Sequence, residues 1–190
     1  MIVPYFTDAD ARSIIGATYA KAHAETAAVA ESLYAPAELA GLPAGAVGLA
    51  LGVGNPLRAV DLRPGAIVLD VGCGAGIDAL IAARRVAPGG RVLGLDMTPA
   101  MLARAREHAA LMGAENAEFL EGLMEALPFA DASVDVVVSN GTLNLSTRKS
   151  RALAETHRVL RAGGRLALAD LVLTETLPEA ILRDPTALAA

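Results

Sequence analysis

Asp70, Gly72, Gly74 and Gly76, followed further on by Asp96, are residue types whose order and spacing could do chemistry together. In a D-x-G-x-G-x-G turn the glycines let a ligand approach the backbone closely. The amides freed at the start of a following helix can then meet an anion such as a carboxylate. Asp96 comes about 20 residues beyond the glycines, at the end of the next expected strand, where a ribose diol would need a bidentate acceptor. A dinucleotide dehydrogenase would carry G-x-G-x-x-G, and this chain has Ile77 at the third glycine of that pattern. A nicotinamide oxidoreductase is the weaker reading of the turn.

Other polar groups are less decisive. Asn140 and Asn144 follow the β-branched run VVVS, as if a buried strand stopped at something polar, and Asn55 sits between Gly54 and Pro56. Asn55 reads either as a turn residue or as a group near a ligand. His23, His108 and His157 lie in helix-like stretches and read as surface or helix-packing residues. No G-x-S-x-G turn and no paired-histidine metal motif occurs, so no catalytic residue is assigned and no metal is expected. The Glu155 and Arg158 pair reads as an ion pair on a helix surface.

The elements that must position these residues alternate regularly after position 60. Residues 66–71 (AIVLDV) form a strand-length apolar run and 77–86 a helix stopped by Pro88-Gly89-Gly90. The unit repeats with a strand over 91–95 and a helix over 100–112, capped by Thr98-Pro99 and ended by Gly113. Further strands are predicted over 117–120, 134–139 and 165–173, with a helix over 148–160 that ends at Gly163-Gly164. Helices between successive strands imply crossovers and an α/β fold with a doubly wound parallel sheet. Ligands of such sheets bind at the carboxyl ends of the strands. The first 60 residues differ: a helix is expected over 8–30 and another over 36–40, together forming an N-terminal helical cap (1–60) over a ligand-binding domain (61–190).

Composition narrows the classes. Hydrophobic residues make up 54% of the 190 and aromatics only 3%, which suits Ala-lined helices on aliphatic strands rather than an all-β fold. With a net charge of -5 and no basic cluster beyond short pairs, the chain offers phosphate backbones nothing to hold, so nucleic acid is not expected as a partner. The uncharged stretch 39–57 is broken by five glycines, two prolines and Asn55, which argues against a membrane span. The opening MIVPYFTDAD has no basic region and does not look like a signal peptide. Cys73 is the single cysteine, so no internal disulfide and no cysteine-based zinc site can form, and a cytoplasmic setting is expected.

LDVGCGAG (69–76), GLDMTPAML (94–102), LPFADASVDVVVSN (127–140) and RVLRAGGRL (158–166) together resemble the class I S-adenosylmethionine-dependent methyltransferases. The resemblance implies a Rossmann-like fold and S-adenosyl-L-methionine as cofactor. It places Gly72, Gly74 and Gly76 at the methionine end, Asp96 on the ribose hydroxyls and Met97 beside the adenine. Asp70, Cys73, Met124, Glu125, Asn140 and Asn55 complete the implied cofactor-binding set. The family commonly has an acid one position after the glycine matching Gly122. Here that residue is Leu123, which shifts the adenine contact to Glu125 or loses it.

ESLYAPAELAGLPAGAVGLALGVGNP (31–56), SVDVVVSNGTLNLS and LPEAILRDP are similar, more narrowly, to the arsenite methyltransferases. Those enzymes hold trivalent arsenic through cysteine thiolates, soft ligands for a soft centre. Val53 and Gly141 stand where that family usually has Cys. The expectation is therefore a methyltransferase acting on a small-molecule acceptor, with the metalloid site lost or the acceptor changed. The alternative is a degenerate paralogue that binds cofactor without turnover. Class I methyltransferases normally add two strands after the fifth, and only five are counted here. The fifth strand is expected to be an exposed sheet edge through which a homodimer could form.

Overall fold

Five runs fold as strands, four of them short stretches of five to seven residues bounded by glycine, proline or polar turns. They are β1 (Ile67–Val71), β2 (Arg91–Asp96), β3 (Ala117–Glu121), β4 (Val134–Asn140) and β5 (Leu160–Ala169). The structure, a computed structural model, describes residues 6–23 and 26–188. All strand pairs are parallel, in the order β3-β2-β1-β4-β5, with Leu69 at the centre in register with Leu93 and Val137. This is the α/β, doubly wound, Rossmann-like architecture expected from the sequence. The order reverses between β1 and β4, the switch point at which such sheets open a crevice.

Both faces of the sheet are covered at β1, β2 and β4, so these three central strands read as near-continuous apolar runs, while the edge strands β3 and β5 keep exposed residues. Val68, Val92, Val136 and Val138 pack under α5 (Ile77–Val86) and α6 (Pro99–Met112). Leu69, Leu93, Leu95 and Val137 face the other way, toward Val159 of α7 (Lys149–Val159) and Leu127 of the β3–β4 loop. The pair read as a surface ion pair sits here. Glu155 is buried, accepts the Leu127 amide at 2.9 Å and pairs with Arg158 at 2.7 Å, and Arg158 also donates to the Leu127 and Phe129 carbonyls. It is a clamp on that loop rather than a surface decoration.

Two predicted elements shift. The single helix expected over 8–30 is instead α1 (Asp8–Ala20) and α2 (Ala28–Leu33). Thr26 Oγ1 accepts the Ala28 amide at 2.9 Å, so the second helix starts afresh; positions 24 and 25 lie outside the described residues. Residues 1–5, part of the opening read against a signal peptide, lie outside them too. Strand five, expected over 165–173, begins earlier and ends earlier. The register with β4 slips between Val134 and Val136, and Gly163-Gly164 form an irregularity inside β5 rather than the end of a helix. A Cβ on Gly164 would meet the Asp135 carbonyl at 2.9 Å, which explains why glycine stands there.

The stretch 39–57 folds back on itself through α3 (Pro36–Leu39), α4 (Ala44–Gly48) and a 3₁₀ turn at Pro56–Arg58. Among the described residues no helix is long and apolar enough to cross a membrane. Ala30, Tyr34, Ala46, Ala50 and Leu57 share one apolar cluster with Val68, Ile81 and Leu102, so α2 to α4 are packed into the layer over the sheet. Glu38 fixes them: it takes the Ala35 amide at 2.8 Å, and Arg85 of α5 bridges it to the Leu57 carbonyl. By contrast α1 rests on a small separate cluster, where Ala11 and Ile15 meet Met97 and Leu145.

Candidate functional site

A cleft of about 1110 Å³, open solvent at its mouth included, lies at the carboxyl ends of β1, β2 and β4. Its floor is the glycine turn. The Gly72 and Cys73 amides both donate to the Leu95 carbonyl, at 2.7 and 3.0 Å, which bends the chain sharply out of β1. Gly72 has φ +75°, and a Cβ there would lie 2.2 Å from Thr142 Cγ2, so only glycine lets the β4 loop pass this close. The Gly74 amide donates to Asp96 Oδ2 at 2.9 Å and the Thr98 amide to Asp96 Oδ1 at 2.8 Å. Asp96 thus ties the turn to the end of β2.

Asp70 is the most unusual group. It is 2% exposed, its carboxylate takes the Ala79 amide of α5, and its Oδ2 has no hydrogen-bond partner. Burial, aggravated by the neighbouring charge of Asp78, pushes this carboxyl well above the usual carboxylate range. A buried oxygen left unpaired costs on the order of 1–3 kcal/mol until a donor or cation arrives. Burial also raises Asp96, against the amide bonds it accepts, and raises the Cys73 thiol.

Asp70, Gly72, Cys73, Gly74, Asp96, Met97, Met124, Glu125 and Asn140 all line the cleft. Two residues expected there do not. Gly76 lies one step behind, as the left-handed cap of α5, where a Cβ would meet Ala105 of α6 at 3.2 Å. Asn55 turns away, its amide pointing to the Leu33 carbonyl and the Glu38 carboxylate at 3.3–3.4 Å. Proline at 56 and the inward pull of Glu38 make it an anchor of the preceding helices. Glu125 accepts a hydrogen bond from Ser146 Oγ, and its backbone carbonyl one from Arg151. His108, read as a packing residue, is buried, with Nδ1 2.9 Å from the Ala75 carbonyl.

Asn140 joins three separated segments. Its Oδ1 accepts the Val53 and Gly54 amides at 2.9 and 3.1 Å, and its Nδ2 donates to the Gly54 carbonyl at 2.8 Å and to Asp78 Oδ2 at 3.0 Å. Tyr34 donates to Asp78 Oδ1 at 2.9 Å and receives Asn140 Nδ2 at 3.1 Å. The loop 52–54 is therefore stapled over the end of β4, so close that a Cβ on Gly52 would overlap the Asn140 amide. Burial pushes Asp78 up to about 6 despite the two donors.

Sequence reasoning missed Tyr34 and Asp78, although an acid inside the apolar run IDALIAARRV was a signal that it must be paired. It also missed how α1 roofs the cleft. Asp8, Ala11, Arg12, Ile15 and Tyr19 fall on one helical face and all line it, a spacing legible in the sequence but without a visible partner. Among the described residues no cluster of His, Cys, Asp or Glu is arranged to hold a metal ion.

Residues 62–190 match the methyltransferase-domain family. An arsenite methyltransferase of Halobacterium salinarum is 49% identical over 140 residues, covering 74% of this chain and 36% of that protein. A demethylmenaquinone methyltransferase of Thermus thermophilus is 43% identical over 115 residues, covering 58% of this chain and 51% of that protein. Among solved structures, an arsenic(III) S-adenosylmethionine methyltransferase from Chlamydomonas reinhardtii superposes with a TM-score of 0.70 at 38% identity. That match covers 76% of this chain and 51% of the algal one. The chain thus spans between a third and about half the length of these relatives.

Proposed function

We infer, for a chain that belongs to the class I S-adenosylmethionine-dependent methyltransferase family, that it moves a methyl group from S-adenosylmethionine to a small-molecule acceptor beside the end of β4. The observation that carries this reading is the unpaired, buried Oδ2 of Asp70 at the floor of the cleft. It suits the ammonium of the donor's methionine end, with Gly72, Cys73 and Gly74 giving backbone access and Gly76 holding α5 behind them. The Asp96 carboxylate, at the end of β2 and lining the cleft, suits the ribose hydroxyls. Met97 and Met124 offer apolar contact to an adenine, and Glu125 a carboxylate near its edge.

Bound S-adenosylmethionine supplies the methyl group on a sulfonium, a good leaving group. What remains for the protein is to hold donor and acceptor at attack distance and keep water out. The roof, α1, and the stapled loop 52–54 shield the cleft from either side, while Asn140 keeps that loop against β4. No side chain is assigned to proton transfer. We read residues 1–60 as the covering part and 61–190 as the donor-binding part, with Asn55 serving the cover rather than the donor.

Arsenite is not the acceptor this site favours. Val53 and Gly141 supply no thiolate, and the one thiol, Cys73, is buried in the turn with its proton held tightly. A single buried thiol favours a reducing, cytoplasmic setting, and the acidic net charge disfavours nucleic acid as partner. The edge of β5, where Leu166 and Leu168 are exposed, is the surface on which a second copy could pair, and light scattering that finds a strict monomer removes that part of the reading. The activity itself is tested with methyl-labelled S-adenosylmethionine and a panel of arsenite, thiol, amine and hydroxyl acceptors. Label is expected in a non-arsenical product; donor binding without any product points to a binding protein instead.

A further inference from the structure

We propose that Arg12 receives the carboxylate of a ligand bound in the cleft. Among the described residues that line the cleft Arg12 is the one cationic side chain, set against five acids: Asp8, Asp70, Asp78, Asp96 and Glu125. It is half-buried on α1, facing inward with Ala11, Ile15 and Tyr19. No ion pair or hydrogen bond from its guanidinium to any described residue is formed. The acid one helical turn before it, Asp8, is engaged elsewhere: Thr147 donates to it at 2.6 Å and Arg148 lies 3.7 Å away.

A guanidinium drawn out of water without a partner is costly, and the cost is recovered when a planar anion meets its fork of donors. Phosphate is a poor match for so acidic a cleft, because its extra negative charge would face those five carboxyls. A single carboxylate matches Arg12 with least repulsion. Two ligands could bring one: the methionine end of the donor, or an acceptor that is itself a carboxylic acid. The first source rests on the donor reading given above; the second does not.

Two titrations of the full chain separate them. In one, calorimetry compares S-adenosylmethionine with its decarboxylated analogue on the unaltered protein, Arg12→Gln and Arg12→Lys. In the other, acetate and benzoate are titrated into protein saturated with S-adenosylhomocysteine and followed by amide chemical shifts. We expect Arg12→Gln to weaken one carboxylate-bearing ligand by about tenfold or more, with Arg12→Lys retaining part of the affinity. A loss for S-adenosylmethionine that spares the decarboxylated analogue assigns the donor; a loss confined to acetate or benzoate assigns the acceptor. The proposal is overturned if Arg12→Gln binds every ligand as the unaltered chain does, or if it weakens the decarboxylated analogue as much as the parent and no carboxylate binding depends on Arg12. If the unaltered chain binds neither S-adenosyl compound, the donor reading fails, and carboxylates titrated into the ligand-free chain decide Arg12 by themselves.

Discussion

Gly141 and Val53 face one another beside the cleft: a Cβ on Gly141 would lie 3.5 Å from Val53 Cγ1. These are the two positions at which the resemblance to the arsenite methyltransferases implies cysteine, and here they meet in space although they lie far apart in the chain. Thiols at both would fall within reach of one metalloid centre. The double replacement Val53→Cys with Gly141→Cys is therefore expected to gain arsenite binding, while Val53→Cys alone gains little. Gly141 has φ +70°, so its cysteine costs about 1–2 kcal/mol of stability. Arsenite binding measured by fluorescence or calorimetry checks this, and a double variant that binds no better than the parent removes the idea of a purely local loss.

The staple through Asn140 makes a second prediction. Asn140→Ala leaves the Val53 and Gly54 amides without a partner and the Asp78 carboxylate with Tyr34 alone, and should cost roughly 1–3 kcal/mol. The specific signature is local. Amide hydrogen exchange at Val53 and Gly54 should rise far more than exchange in β1 or β2, and equal acceleration everywhere would mean that Asn140 only contributes to global stability.

Asp78 predicts a pH dependence with a definite sign. Burial raises its folded value to about 6, above its ordinary value, so the native state binds the proton more tightly than the unfolded chain does. Its contribution to stability is then fully present below the ordinary carboxylate range and is lost as pH rises toward 6, by about 3 kcal/mol in all. Asp70, raised in the same direction, adds to the slope. Denaturant unfolding of the ligand-free protein between pH 4 and 7 should show a falling stability that Asp78→Asn makes shallower. The slope is the readout, because the substitution also removes an acceptor from Tyr34 or Asn140.

Gly72→Ala should be the most damaging single change in the turn. Its Cβ would overlap Thr142 in a left-handed backbone, so the β4 loop must retreat from the cleft. We expect loss of S-adenosylmethionine binding together with about 1–3 kcal/mol of stability, and unchanged affinity would show that this part of the turn does not touch the ligand.

What could be read from the chain alone divides along physical lines. β1 to β4, the glycine turn and Asp96 were legible because short apolar runs, punctuating glycines and a fixed spacing are local signals. Gly163-Gly164 misled for the same reason: glycine marks a helix end or a strand irregularity equally well, and only the close Asp135 carbonyl decides between them. Asn55 and Asn140 had similar surroundings in sequence, polar residues beside glycine, yet one faces Glu38 and the other Asp78. The Tyr34, Asp78 and Asn140 network and the roof formed by α1 depend on contacts across much of the chain, which no local pattern encodes.

Calorimetric titration of S-adenosylmethionine into the purified full chain, beside an Asp96→Ala variant and with a nicotinamide dinucleotide as the competing ligand, addresses the identity of the cleft. Saturable one-to-one binding of S-adenosylmethionine is predicted, weakened about tenfold or more by Asp96→Ala, with no binding of the dinucleotide. Saturation by the dinucleotide and none by S-adenosylmethionine would contradict the reading of this cleft as a methyl-donor site.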